Sequence, residues 1–218
     1  MDIRYLGHSS FKLSGSSAKV VTDPFDPAQV GLKYSKQECD IVTVSHEHGD
    51  HNKTDFMIGD PLIIDIPGEY ERKGIRVTGF ESFHDDKQGA ERGKNILFKI
   101  EIDDVSILHC GDLGHMLTNE MIEEIGEVDV LLVPSGGFYT IAADEAATIV
   151  RAIEPHIVIP MHYGHPDMNP ELAGKLAPLS TFLSAMGGQT VEPLNKLTVK
   201  KSELEEISSQ VVVLEVSL

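Results

Sequence analysis

Ser45-His46-Glu47-His48-Gly49-Asp50-His51 follows the apolar run Asp40–Val44, and its reading decides the fold of this chain. Three imidazoles and the Asp50 carboxylate so close together suit no hydrophobic core, because each buried polar group needs a partner. Metal ions supply such partners, and neutral imidazole with carboxylate suits Zn²⁺ and similar first-row metals. The spacing is not the helical HExxH pattern, in which two histidines lie one turn apart on one face. Here His46 and His48, two residues apart in a loop, can converge on one ion. Asp50 and His51 on the following turn can face a second. The bland alternative is an acidic, His-rich solvated loop, and the rest of the chain argues against it.

Composition narrows the field. The chain has 218 residues, 18 Lys+Arg, 35 Asp+Glu and 10 His, for a net charge of −17. A folded monomer of this size buries about 71% of its unfolded surface, so a substantial core needs no staples. The acidic balance disfavours a broad nucleic-acid or anionic-membrane surface, which many Lys and Arg would have to hold. A small anionic substrate held by a metal remains compatible with it. Cys39 and Cys110 cannot make a disulfide framework. The opening Met1-Asp2-Ile3-Arg4 lacks the apolar core of a signal peptide, and no apolar run approaches a membrane span. A cytoplasmic protein with no membrane partner is expected.

No repeat or linker interrupts the sequence, so residues 1–218 are expected to form a single domain. The first half reads as strands over Asp2–Leu6, Phe11–Leu13, Lys19–Thr22, Asp40–Ser45, Leu62–Ile66, Ile75–Phe80, Asn95–Ile102 and Val105–His109. Asn95–Ile102 partly alternates, as a half-exposed antiparallel strand would. Asp40–Ser45 and Val128–Val133 are more uniformly apolar, as in strands buried on both faces. Helices are expected over Thr118–Ile125, with Thr118 as N-cap, and Ala143–Ile153. A third, Leu172–Met186, should be kinked or split by Pro178 and closed by Gly187-Gly188. Short strands follow near Gln189–Val191, Lys196–Val199 and Gln210–Val216. Strands first and βαβα after suggest helices packed outside two sheets, an α+β architecture.

The chain resembles the metallo-β-lactamase superfamily, whose signature is HxHxDH after a buried strand. His84 in Ser82-Phe83-His84-Asp85 sits where that family's third histidine follows a strand. Asp112 in His109-Cys110-Gly111-Asp112 looks like its bridging Gly-Asp, and His162 in Ile159-Pro160-Met161-His162 like its last histidine. Gly7-His8-Ser9-Ser10-Phe11, Asp23-Pro24 and Pro134-Ser135-Gly136-Gly137 resemble the branch that includes the ascorbate phosphate lactonase. The likeness runs from about Met1 to His165. It implies a four-layer αββα sandwich of two mixed sheets with outer helices, and a metal cleft along one edge. It also implies that His46, His48 and His84 hold a first metal, Asp50, His51 and His162 a second, and that Asp112 bridges them. Two such ions about 3.5–4 Å apart can share a hydroxide and polarise a scissile oxygen. Asp50 could orient that hydroxide or carry a proton to the leaving group. Asp50 and Asp112 are thus the catalytic candidates.

Several residues carry two readings. His109 competes with His84 as third histidine, but its place in an apolar strand end favours a satisfied core histidine. Cys110 reads as a small buried hydrophobe. His8 either lines the cleft edge or plays a hydrogen-bonded structural part. His115 and His165 are substrate-facing candidates whose bland reading is surface histidine. Gly136 and Gly137 would let backbone amides approach an anionic group, or form a plain turn. Tyr139 is a candidate substrate contact, and Arg92 is an anion clamp on the rim or an ordinary loop arginine. Asp85-Asp86 and Glu123-Glu124 read as solvated charges.

The expected activity is hydrolysis of a small ester, lactone or phosphoester with two divalent ions, zinc first and Mn or Fe next. The partner is a small-molecule substrate. A metal-dependent nuclease or phosphodiesterase is the alternative, disfavoured by the acidic charge. A metal-bound module without catalysis is the reading from another class, and the intact seven-ligand set counts against it.

Overall fold

In this computed structural model, which describes residues 1–188 and 190–217, strand alternation builds the layers. Val20 and Ile41 belong to a core cluster shared with Phe98, Ile100 and Ile107. Their neighbours Val21 and Val42 join a second cluster with Phe25 and Val30. Period-2 side-chain alternation gives strands Lys19–Thr22 and Ile41–Thr43 two apolar faces. One meets the opposite sheet, and the other meets the short helix Pro27–Val30.

The first sheet runs Leu197–Thr198, Asp2–Gly7, Ser10–Ser14, Lys19–Thr22, Ile41–Thr43, Leu62–Ile64. The second runs Gln210–Val211, Ile157–Met161, Val130–Pro134, Val105–His109, Lys94–Ile102, Ile75–Phe83, Gly68–Arg72. Helices Ala143–Ile153 and Leu179–Ala185 pack on each other outside the second sheet. Leu172 and Ala173 of helix Pro170–Ala173 lie against the outer cluster of the first. The result is the αββα sandwich expected, of α+β class. No helix among the described residues is long and apolar enough to cross a membrane.

Most elements fall where the residues put them. Thr118 caps helix Asn119–Ile125 by accepting the Met121 N–H at 3.3 Å. Pro178 divides the expected Leu172–Met186 helix in two, because its ring leaves no donor for a continuous ladder. Strand Gly68–Arg72 and the small pair Gln37–Glu38 with Met57–Ile58 were not expected. Gly68–Arg72 and Gln37–Glu38 are mostly polar and Met57–Ile58 is only two residues long, so none carries an apolar alternation to read. Asn95–Ile102 is more buried than its alternation suggests, since both faces of Asn95–Phe98 are covered. The strand expected over Gln189–Val191 falls partly outside the described residues, and Thr190 and Val191 are irregular.

Strand direction positions the site. Asp2–Gly7, Lys19–Thr22 and Ile41–Thr43 run one way in the first sheet. Ile75–Phe83, Val105–His109, Val130–Pro134 and Ile157–Met161 share one direction in the second. His8, Asp23, His46, His84, Asp112 and His162 all follow the carboxyl ends of these strands. Two backbone bonds stitch the sheets there: Ile96 N–H to Ser45 O and His162 N–H to His8 O, each 2.9 Å. A sheet edge where strands end and loops begin is the usual place for a ligand in open sheets.

Candidate metal centre

Two groups of side chains converge at that edge. His46, His48 and His84 bring their ligand atoms within 4.8 Å of one another, and so do His8, Asp50, His51 and His162. Asp112 lies between the groups. Its carboxylate is 3.2 Å from His84 Nε2 and 4.0 Å from His46 Nε2 on one side. On the other it is 3.2 Å from His162 Nε2 and 3.3 Å from His51 Nε2. All seven residues assigned from the sequence thus come together.

The backbone is bent to bring them there. His8, Asp23 and His162 adopt φ of 56°, 37° and 52°, the left-handed region that side chains rarely occupy. Such outliers persist where the surrounding structure imposes them, and they gather at functional sites. Gly111, at φ 53°, sits where an added Cβ would lie 2.4 Å from Asn95 Oδ1 and 2.5 Å from Ser45 Cβ. Only glycine lets the chain pass there and deliver Asp112, whose N–H donates to Asn95 Oδ1 at 2.9 Å.

Asp23 is the residue that sequence reasoning passed over except as half of an Asp-Pro likeness. It is fully buried. It accepts the Ser45 N–H at 2.8 Å, the Ser45 hydroxyl at 2.6 Å and His51 Nδ1–H at 2.8 Å. Ser45 Oγ in turn accepts His46 Nδ1–H at 2.9 Å. These bonds hold both rings by Nδ1 and leave Nε2 of His46 and His51 aimed at the centre. Asp23, although near His46 and His51, has both oxygens committed and is their orienting partner rather than a ligand. Asp23→Ala is expected to weaken metal affinity or activity about 10–100-fold, measured by metal titration and turnover.

His46 Nε2, His51 Nε2, His84 Nδ1, His162 Nδ1 and Asp112 Oδ1 are buried without a hydrogen-bond partner. Each such atom costs about 1–3 kcal/mol. Nitrogen and carboxylate atoms left open in this way fit divalent metal ions, which take such donors. Electrostatics favours the ligand forms of His46, His48, Asp50 and Asp112. Burial, then His51, pushes His46 down to about 3, and burial, then His84, lowers His48. Burial opposes ionisation of Asp112 and Asp50, but the imidazoles prevail and hold both well below the usual carboxylate range. His162 and His51 act on the first, His51 and His8 on the second. Burial would likewise lower His51, yet Asp112 and Asp50 carry it well above its ordinary value.

His8 is fully buried behind the centre rather than on the cleft edge. Its Nε2–H donates to Asp50 Oδ2 at 3.2 Å, and its ring lies 4.2 Å from that of His162. Burial, then His162, pushes it down to about 4. His109 donates Nε2–H to Ser9 O at 2.8 Å deep in the core and belongs to neither group. His84→Ala is therefore expected to lower metal content, while His109→Ala keeps it and lowers turnover less. Elemental analysis of both variants checks this, and the opposite pattern would exchange the two roles.

A cavity of about 810 Å³ opens onto the centre at His48, Asp50, His84 and Asp112. Of the substrate candidates, it is lined by Arg92 and Tyr139 and not by His8, Gly136, Gly137 or His165. Gly136 instead permits a close backbone approach, since a Cβ there would lie 2.1 Å from His162 O. His115 Nε2 accepts the Phe83 N–H at 3.2 Å, and His165 Nδ1 accepts the Asp167 N–H at 3.2 Å. Asp85 is not a solvated charge. It is buried and accepts the N–H groups of Lys87, Gly89, Glu91 and Arg92 at 2.7–2.9 Å. Glu123 and Glu124 are exposed as expected.

Fold and centre together suit a metal-dependent hydrolase whose candidate ligands follow strand ends. Residues 2–162 match the family model of the Beta-lactamase superfamily domain. A UPF0173 metal-dependent hydrolase of Thermococcus onnurineus is 30% identical over 189 residues, covering 74% of this chain and 84% of that one. One from Staphylothermus marinus is 31% identical over 193 residues, covering 74% and 82%. A solved Thermotoga maritima structure, described as a proposed Zn-dependent hydrolase of the metallo-beta-lactamase superfamily, is 37% identical. It matches with a TM-score of 0.81 over 99% of both chains. The chain belongs to the metallo-β-lactamase superfamily and is similar to its UPF0173 metal-dependent hydrolases.

Proposed function

We propose that this chain is a dinuclear, zinc-loaded hydrolase of a small ester, lactone or phosphoester. One observation carries the reading: the Asp112 carboxylate stands within 3.3 Å of imidazoles from both ligand groups. His46, His48 and His84 would hold one ion, Asp50, His51 and His162 the other, with Asp112 serving both. Ions bound there supply positive charge that activates water near neutral pH and polarises a scissile oxygen.

The chain's own residues set the geometry. Asp23 and Ser45 lock the rings of His51 and His46, so those ligands are preorganised. Asp50 lines the cavity with its carboxylate steered by His8, where it can accept a hydrogen bond from the attacking water and pass a proton to the departing oxygen. A cavity of about 810 Å³ suits a small molecule. The net charge of −17 leaves little to hold a polynucleotide. Cys39 and Cys110, both buried free thiols, accord with a cytoplasmic setting.

Elemental analysis of the loaded protein, followed by a panel of lactones, thioesters, phosphodiesters and RNA, tests this reading. Two zinc ions per chain and turnover of a small ester or lactone are expected. One ion with all seven ligands intact would remove the dinuclear assignment. RNA cleavage with tight binding that persists through about 200 mM salt would remove the small-molecule one.

A further inference from the structure

Arg92 and Lys175 meet across one aromatic ring at the mouth of the catalytic cavity. The Arg92 guanidinium carbon lies 5.9 Å from the Tyr139 ring centre, and Lys175 Nζ lies 5.8 Å from the same centre. All three residues line the cavity that also exposes His48, Asp50, His84 and Asp112. Sequence distance hides the grouping, since the three come from a loop, a strand-end turn and the stretch after helix Pro170–Ala173.

The arrangement is electrostatically unusual. In a chain with 35 acids and 18 bases, two cations share one ring. Arg92 is half-buried and has no ion-pair partner among the described residues. Lys175 reaches Glu171 at 3.5 Å, but that carboxylate is 89% exposed and solvent screens it. Glu91, the other acid on the rim, is paired with Lys87. Two cations that line the same cavity give it positive potential, which favours an anion there. The backbone is also fixed for the purpose, since Asp85 accepts the Arg92 N–H at 2.7 Å together with three more amides of its loop. Arginine offers a planar fork that matches carboxylate and phosphate oxygens.

Resting on the hydrolase reading, we propose that Arg92 and Lys175, flanking Tyr139, form an oxyanion subsite. The substrate is then a small ester or lactone that carries a carboxylate or phosphate beside the bond to be cleaved. Water adds to the acyl carbon and the alkoxy oxygen leaves with a proton, giving an acid and an alcohol. The anionic substituent takes no part in that step and serves only to hold the molecule.

The test compares 4-nitrophenyl acetate with mono-4-nitrophenyl succinate and 4-nitrophenyl 3-phosphonopropionate on the metal-loaded protein. Calorimetric binding of succinate and inorganic phosphate to the same protein runs beside it. The charged esters should be preferred at least about tenfold in kcat/KM, the size of one charge-assisted contact. In Arg92→Ala that preference should collapse through KM, with Arg92→Lys intermediate and Lys175→Ala adding a smaller loss. The better of the two charged esters identifies carboxylate or phosphate as the group held. The exposed Lys200→Ala serves as the control that keeps the preference. Equal kcat/KM for neutral and charged esters, with anion affinity unchanged in Arg92→Ala and Lys175→Ala, would overturn the subsite while leaving the hydrolase reading standing. No turnover of these esters or of the lactone and phosphodiester panel, with anion binding weakened at least about fivefold in Arg92→Ala, would uphold the subsite and overturn the proposed small-substrate hydrolysis.

Discussion

Asp112→Ala is expected to lower hydrolysis by about a thousandfold or more, the rate equivalent of several kcal/mol of charge stabilisation. The reason lies in its position. Among the described residues its carboxylate alone lies within 3.3 Å of imidazoles from both ligand sets, and it is almost fully buried. Removing it takes away at once the carboxylate that stands beside His84 of one set and His51 and His162 of the other. Metal content should fall below that of His84→Ala, which loses one imidazole from one set. Turnover and elemental analysis of the purified variant check both halves. Retention of full metal content with near-normal turnover would show that Asp112 serves neither ion.

Removing the metal with a chelator is expected to abolish hydrolysis, and adding zinc back should restore it. The pH dependence of reloading follows from the electrostatics of the centre. In the metal-free fold His51 sits well above its ordinary value, because Asp112 and Asp50 outweigh the effect of burial. Below that raised value His51 carries a proton that a metal ion must displace, so binding releases a proton and weakens as pH falls. Where His51 is protonated, each pH unit downward should cost about tenfold in apparent affinity per proton displaced. His46, pushed down to about 3, adds nothing to that slope between about pH 6 and 8. Zinc titrations in two buffers of different ionisation enthalpy measure the proton release directly. Affinity independent of pH across that range would show that His51 is not the group displaced.

The contiguous motif His46–His51 was legible because its chemistry is local. Imidazoles and a carboxylate packed into one loop after an apolar strand point to metal without any knowledge of the fold. His84, Asp112 and His162 were legible through the family resemblance, which matched each of them to a position that follows a strand. The strands Gly68–Arg72 and Met57–Ile58 were not legible, since sheet pairing rather than apolar alternation makes them strands. Asp85 looked like a solvated charge because a carboxylate that accepts four backbone amides has the same letter as one facing water.

The sequence alone determined the donor types, their placement after strands, the acidic surface and the division of the last long helix at Pro178. Those features depend on a residue and its near neighbours, which periodicity and covalent geometry govern. Tertiary structure alone decided that Asp23 orients His51 across 28 residues and that His8 steers Asp50 across 42. It alone excluded His109 from the centre and set Lys175 beside Tyr139 and Arg92 at the cavity mouth. These pairs form only once the strands are ordered within each sheet and the two sheets are stacked, so that strand ends distant in sequence reach the same edge. Local pattern carries no information about which ends those are, because the packing of the whole sandwich selects them.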